Sequence, residues 1–189
     1  MDIDERTRSE IDRRLERLES EYGAFPVREE RVTNEPAFFE QGVKLAGDGW
    51  IGDAGAWVTD AADRALLIRH EDGPERWGTP GGGHEPGETM AETARREVRE
   101  ETGLEPTLAG VCFARRKTIV HEDDPERRFQ MLTVIFEADI DVDAGDVNEE
   151  VIEIGDDEIL EARWFEADDP PEVVHGFLEE RVEDWAETE

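Results

Sequence analysis

Apolar residues first recur at helical spacing near the start of the chain. Ile11, Leu15, Leu18 and Tyr22 mark one stripe among charges, which predicts a helix over about 4–21 that Gly23 and Pro26 end. Residues 27–47 keep no single period, and Ala37, Phe38 and Phe39 suit either the start of a strand or a cover for a sheet. From Trp50 onward the apolar runs shorten. Runs at 56–59 and 65–69 are joined by a hairpin-like connection at 60–63. A glycine-rich stretch at 78–83 precedes a helix of about 89–102 that Gly103 stops. Long strands over 108–120 and 129–140 flank a polar turn at 121–126, and an acidic loop over 141–158 leads to a last strand at 162–165. Pro170 and Pro171 open a helix through about Trp185, with Val174, Phe177, Leu178, Val182 and Trp185 on its apolar side. No internal repeat is visible. This order predicts an α/β fold, a mixed sheet packed between helices, with 1–47 as an N-terminal extension and 48–186 as the main domain.

Composition narrows the setting. At 189 residues, one domain with an appendage has enough chain to bury a core. The net charge of −31 comes from 52 acidic against 21 basic residues, and Lys44 and Lys117 are the only lysines. An acid excess spread over the whole length reads as adaptation to high salt, where screening relieves self-repulsion. Disorder is the competing reading of such charge, and the strand-like apolar runs and five tryptophans oppose it. An acidic surface repels a nucleic-acid duplex. Cys112 is the single cysteine, which excludes an intrachain disulfide and a cysteine-based zinc site. No apolar run of membrane-spanning length and no signal region occur, so a cytoplasmic protein without membrane contact is expected. The narrow stripe of the first helix suits packing on the domain or pairing with a second copy as a homodimer.

The chemistry concentrates on residues 82–104. Glu97, Glu100 and Glu101 stand three and four positions apart, so their carboxylates share one helix face. Like charges stacked there repel unless something positive sits between them, and a hard divalent cation is the simplest answer. The segment resembles the Nudix box, G-x5-E-x7-R-E-U-x-E-E-x-G-U, where U is bulky and aliphatic. Gly82, Glu88, Arg96, Glu97, Val98, Glu100, Glu101, Gly103 and Leu104 fill every fixed position. In an acid-rich chain carboxylates alone say little; the spacing of the glycines, Arg96 and the aliphatic positions carries the likeness.

The resemblance implies a Nudix-type α/β/α sandwich and a pyrophosphohydrolase that cleaves a nucleoside diphosphate linked to another group, with Mg²⁺ or Mn²⁺ as cofactor. It implies Glu97, Glu100 and Glu101 as metal ligands together with the Gly81 carbonyl. Glu100, Glu101, Arg96 and Glu88 then form the catalytic set: Arg96 holds the box carboxylates in place, and Glu88 accepts hydrogen bonds or pairs with Arg96. Val98 and Ala94 should face the sheet. The general base is either a box glutamate, Glu100 or Glu101, or a late acid, Glu153, Glu158 or Glu161. Arg115, Arg116, Lys117, Arg127 and Arg128 form a basic island that either grips a substrate phosphate or pairs with neighbouring acids. His84 fills a variable box position and is assigned no catalytic role, His70 and His121 read as surface residues, and Trp77 reads as filler beneath the glycine loop. Markers of several family subgroups are absent: no tyrosine follows the box, since Tyr22 is the only one, and no proline lies about 15 residues past it. A nucleotide-sugar or nucleoside triphosphate substrate is therefore expected. The alternative from another class is a nucleotide-sensing module without turnover.

Overall fold

The computed structural model describes residues 2–140 and 152–187, so residues 141–151 of the expected acidic loop lie outside the described residues. In chain order run α1 (Ile3–Tyr22), β1 (Val27–Asn34), α2 (Pro36–Gly47), β2 (Gly52–Thr59), β3 (Ala65–His70), β4 (Trp77–Gly78) and β5 (Gly81–Gly83). There follow α3 (Met90–Thr102), β6 (Thr107–His121), β7 (Arg128–Asp139), β8 (Ile159–Phe165) and α4 (Glu179–Ala186). Parallel and antiparallel pairs both occur and helices flank the strands, which is the expected α/β class with a mixed sheet. The chain forms two compact units: residues 1–54, 82–93 and 110–136 make the first, and 55–81, 94–109 and 137–189 the second.

In the first unit, the extension supplies structure that its charges conceal. α1 starts at Asp2, whose carboxylate accepts the Glu5 N–H at 2.8 Å, and it ends at Gly23. Its apolar stripe is used within the chain, with Ile11 and Leu18 buried. Thr7 accepts the Gln130 backbone N–H at 2.9 Å, and Asp4 takes Arg128 and Gln130 side chains at 2.9 and 3.0 Å. The ambiguous stretch resolves into β1 and α2. β1 pairs in parallel with β6, from Val27 opposite Ala114 to Asn34 opposite His121, and β6 adjoins β7, which adjoins β2. Gly52 permits that last approach, since a Cβ there would lie 1.9 Å from the Leu132 carbonyl oxygen. α2 begins at Pro36, a residue suited to a first helical turn, and buries Phe39 edge-on against Phe129 and His121. His121 is accordingly buried, where a surface position was expected.

In the second unit, β2 pairs antiparallel with β3, and β3 pairs with β4 and β8. The expected helix from Pro170 starts later, as a 3-10 turn at Gly176–Leu178 followed by α4. The backbone before it is otherwise engaged: Trp77 donates to the Val173 carbonyl at 3.0 Å, and His175 donates to the Trp77 carbonyl at 2.9 Å. Leu178, Val182 and Trp185 still form the buried side of this segment, with Trp185 edge-on to Trp57. Among the described residues no helix is long and apolar enough to cross a membrane.

Candidate active site

The glycine loop is laid directly on β2. Ala56 donates to the Pro80 carbonyl at 3.0 Å, and a Cβ on Gly55 would stand 2.4 Å from that same oxygen. This close approach fixes the next amide, and the Gly81 N–H donates to the Glu101 carboxylate at 2.7 Å. A loop amide and a helix carboxylate 20 residues apart are thereby joined. The carbonyl of Gly81 is the group expected to face a cation; its amide holds the Glu101 carboxylate.

On α3, Ala94 and Val98 are fully buried, as their spacing required. Glu101 and Glu97 are buried as well, while the Glu100 side chain is about half exposed. Arg96 donates to Glu97 at 2.6 Å and to Glu100 at 3.1 Å, so one guanidinium holds both carboxylates. Burial first, then the nearby charges of Glu97, Asp156 and Glu100, push the Glu101 carboxyl up to about 8 against the opposing pull of the Gly81 amide. The donor set, carboxylate oxygens together with the Gly81 carbonyl, is all oxygen and fits a hard divalent cation. Arg96 and the Gly81 amide meanwhile hold the carboxylates individually, and among the described residues no three acids already converge as a closed ligand set.

Asp156 is the acid that sequence reasoning missed. Gly103 ends α3 with φ +73°, and a Cβ there would meet the Glu153 Cβ at 2.9 Å. The Glu153 N–H donates to the Thr102 carbonyl at 3.0 Å, and Gly155 passes the Glu100 carbonyl so closely that a Cβ would stand 2.7 Å from it. Two glycines thus bring the late segment back onto the end of the box helix and set Asp156 within electrostatic range of Glu101. Its only local signal was the Gly155 that precedes it. Of the late candidates, Glu161 pairs with Arg69, and Glu158 lies 3.2 Å from His70.

The first turn of α3 belongs to the first unit. Thr89 and Glu92 form a reciprocal cap, the hydroxyl accepting the Glu92 N–H at 3.2 Å and the carboxylate accepting the Thr89 N–H at 2.7 Å. Glu88 accepts hydrogen bonds, as expected, from the Thr93 hydroxyl at 2.8 Å and the Glu85 N–H at 3.2 Å. His84 is fully buried, with Nδ1 3.1 Å from the Thr93 hydroxyl and Nε2 2.9 Å from the Arg14 guanidinium.

The basic island is engaged by carboxylates. Arg115 makes a two-pronged pair with Glu30 at 2.7 and 2.8 Å, Arg116 meets Asp12 at 2.7 Å, and Lys117 meets Asp53 at 3.2 Å. Arg127 meets Glu40 at 2.7 Å and Arg128 meets Asp4 at 2.9 Å. Of the two expected uses, pairing with acids is the one these contacts display: four of the pairs tie the extension to β6, β7 and the turn between them, and Lys117 ties β6 to β2. In the second unit, a cavity of about 250 Å³ shares Gly81 with the loop and is lined by Ile68, His70, Thr79, His175 and Phe177. Trp77 packs edge-on against Phe165 with Arg69 over its face.

Known proteins are similar to this chain in sequence and fold. A family model described as NUDIX domain matches residues 51–185. The asymmetrical bis(5'-nucleosyl)-tetraphosphatase of Rattus norvegicus is 31% identical over 103 residues, covering 53% of this chain and 70% of its own length. Nucleoside triphosphatase NudI of Enterobacter sp. (strain 638) is 40% identical over 81 residues, 41% of this chain and 53% of its own. The chain thus spans only about half the length of that second relative. Among solved structures, a UDP-X diphosphatase superposes with TM-score 0.50 at 18% identity, covering 72% of this chain and 60% of that one, a likeness of fold.

Proposed function

The chain belongs to the Nudix family of hydrolases, and from that premise we propose that it is a metal-dependent pyrophosphohydrolase acting on a nucleotide-sugar or nucleoside triphosphate. The observation that carries the reading is Glu101. This carboxylate is buried, tied to the Gly81 amide and crowded by Glu97, Glu100 and Asp156, an arrangement that costs stability unless positive charge arrives. Glu97, Glu100, Glu101 and the Gly81 carbonyl would hold Mg²⁺ or Mn²⁺. When bound, the cation supplies charge neutralisation for the diphosphate and acidifies water at the site.

The chain's own residues do the rest. Arg96 keeps Glu97 and Glu100 on one face, and the Gly81 amide orients Glu101. Water adds to phosphorus, the P–O bond of the anhydride breaks, and a carboxylate accepts the proton of the attacking water. Asp156 joins Glu100 and Glu101 as a candidate for that base, because it is the late acid whose charge Glu101 feels. The cavity beside Gly81 is suited to the group linked to the diphosphate, with Phe177 and His175 as flat walls. The likeness to a nucleoside triphosphatase supports the triphosphate branch, and the tetraphosphatase relative places a dinucleoside polyphosphate in the same test. We also read the acid excess as adaptation to high salt.

The experiment is a panel of nucleoside triphosphates, nucleotide sugars, ADP-ribose and dinucleoside polyphosphates at molar salt, with and without Mg²⁺, following release of nucleoside monophosphate, phosphate and pyrophosphate. Metal-dependent cleavage of one class is expected. Tight binding of a nucleotide without turnover of any would instead establish a sensor.

A further inference from the structure

One helix outside the family-matched residues reaches into the box. Arg14 lies on α1, and its guanidinium is set by Glu10 at 2.8 Å and by the Met90 sulfur at 3.1 Å. Its Nη2 stands 2.9 Å from His84 Nε2, inside a core where His84 has no solvent exposure. A guanidinium has only donors, so His84 Nε2 must accept. The ring proton is therefore on Nδ1, which donates to the Thr93 hydroxyl 3.1 Å away. Having accepted there, Thr93 turns its own proton outward. Glu88 at 2.8 Å takes it in preference to the Thr89 carbonyl at 3.2 Å, because a carboxylate is the stronger acceptor. The chain of donors runs one way, Arg14 to His84 to Thr93 to Glu88, and ends on a fixed box position.

We propose that Arg14 and His84 are positioning residues for hydrolysis, locking Glu88 and the first turn of the box helix through this one-way chain. The role rests on the pyrophosphohydrolase reading above. α3 is a single helix, so the angle at which its first turn is held sets the face on which Glu97, Glu100 and Glu101 emerge one to three turns later. Two features make the assignment specific to this chain. His84 occupies a variable box position, and Arg14 comes from residues that the family model does not match. The N-terminal helix then holds the first turn of α3 through Arg14. Glu10 neutralises the arginine, which lets a cation sit beside a buried ring without leaving an unpaired charge.

The test uses the full chain at high salt and whichever nucleotide the wild type cleaves with Mg²⁺. Arg14→Met and His84→Leu should each lower kcat by about tenfold to a hundredfold with KM little changed, the range seen when groups that orient a metal ligand are removed. The double variant should be no worse than either single one, because both cut the same chain. His84→Asn, which retains a donor near the Nδ1 position, should recover part of the loss. ¹⁵N NMR of the imidazoles gives a readout that packing alone would not move. With only four histidines in the chain, His84 is assignable; it should show the Nδ1–H tautomer in the wild type and the Nε2–H tautomer in Arg14→Met. Should Arg14→Met fail to fold, Arg14→Gln carries the comparison, since it can present either an N–H or a carbonyl to Nε2. A folded Arg14→Met with wild-type kcat, or an Nε2–H tautomer in the wild type, would overturn the proposal. A wild type that cleaves no nucleotide would instead overturn the functional reading, while the tautomer would still decide whether the hydrogen-bond chain exists.

Discussion

Glu101 is a carboxylate that gave up nearly all its water and received one amide in return. On the proposed reading its charge serves a bound cation and not the fold, so replacing it separates function from folding. Glu101→Gln and Glu100→Gln should each cut turnover by orders of magnitude while preserving the fold, because charge is lost and shape is kept. Near-normal activity in both would remove the metal assignment. The shift at Glu101 also fixes the sign of a pH effect in the metal-free protein. Below about 4.5, the ordinary value, folded and unfolded chains both hold this proton. Above it the unfolded chain releases the proton and the folded one retains it, so stability falls as pH rises, and the loss is complete near 8. The contribution is on the order of a few kcal/mol. Glu101→Gln should therefore be more stable than wild type at pH 9 without metal, and the advantage should shrink towards pH 5. Denaturant titration at the two pH values decides it; parallel curves would show that Glu101 is not a strained group.

At the scale of elements, Gly103 has two jobs that are usually separate. It ends α3 in the left-handed region, and it leaves room for Glu153 to pass. Gly103→Ala should cost about 1–2 kcal/mol from the backbone alone. It should also push the 153–156 segment off the helix, lowering kcat if Asp156 takes part in catalysis. A variant with full activity and wild-type stability would show that the return of this segment is incidental. The box helix, its stop and most strands were legible in the sequence because each is governed by local spacing. β1 was not: both of its faces carry charge, Arg28 and Glu30 on the half-buried one and Glu29 and Arg31 on the exposed one, and its paired residues lie 87 positions further on, as with Val27 and Ala114. Nor was the late start of α4, since Pro170 and Pro171 do signal a helix. What overrides them is a strand-like exchange with Trp77, a residue far away in sequence. The partners of the basic island were hidden for the same reason, as Arg128 finds Asp4 across 124 positions.

The whole molecule must keep a net charge of −31 folded. Two electrostatic effects oppose each other as salt is added. Ion pairs such as Arg115 with Glu30 weaken, while repulsion among the acids in excess is screened. The chain has 52 acids and only 21 bases, so even complete pairing would leave most of its acids facing like charge. Partly exposed pairs contribute roughly 0–1 kcal/mol each, so their loss is small. The repulsion is collective, and its range shrinks from roughly 10 Å at 0.1 M to 3 Å at 1 M. Relief of repulsion should win. The thermal midpoint should rise by several degrees between 0.1 and 2 M NaCl, where about 1 kcal/mol corresponds to 2–4 °C in a chain of this size. Excluded-solute effects would also raise it, so the control is an uncharged osmolyte at matched osmolality, which should give a smaller rise. A variant with several exposed acids changed to Asn or Gln should lose much of its salt dependence. A midpoint that is flat or falls with NaCl would mean that the tethers from α1 and β1 to β6 and β7 outweigh the acid excess, and the high-salt reading would go with it.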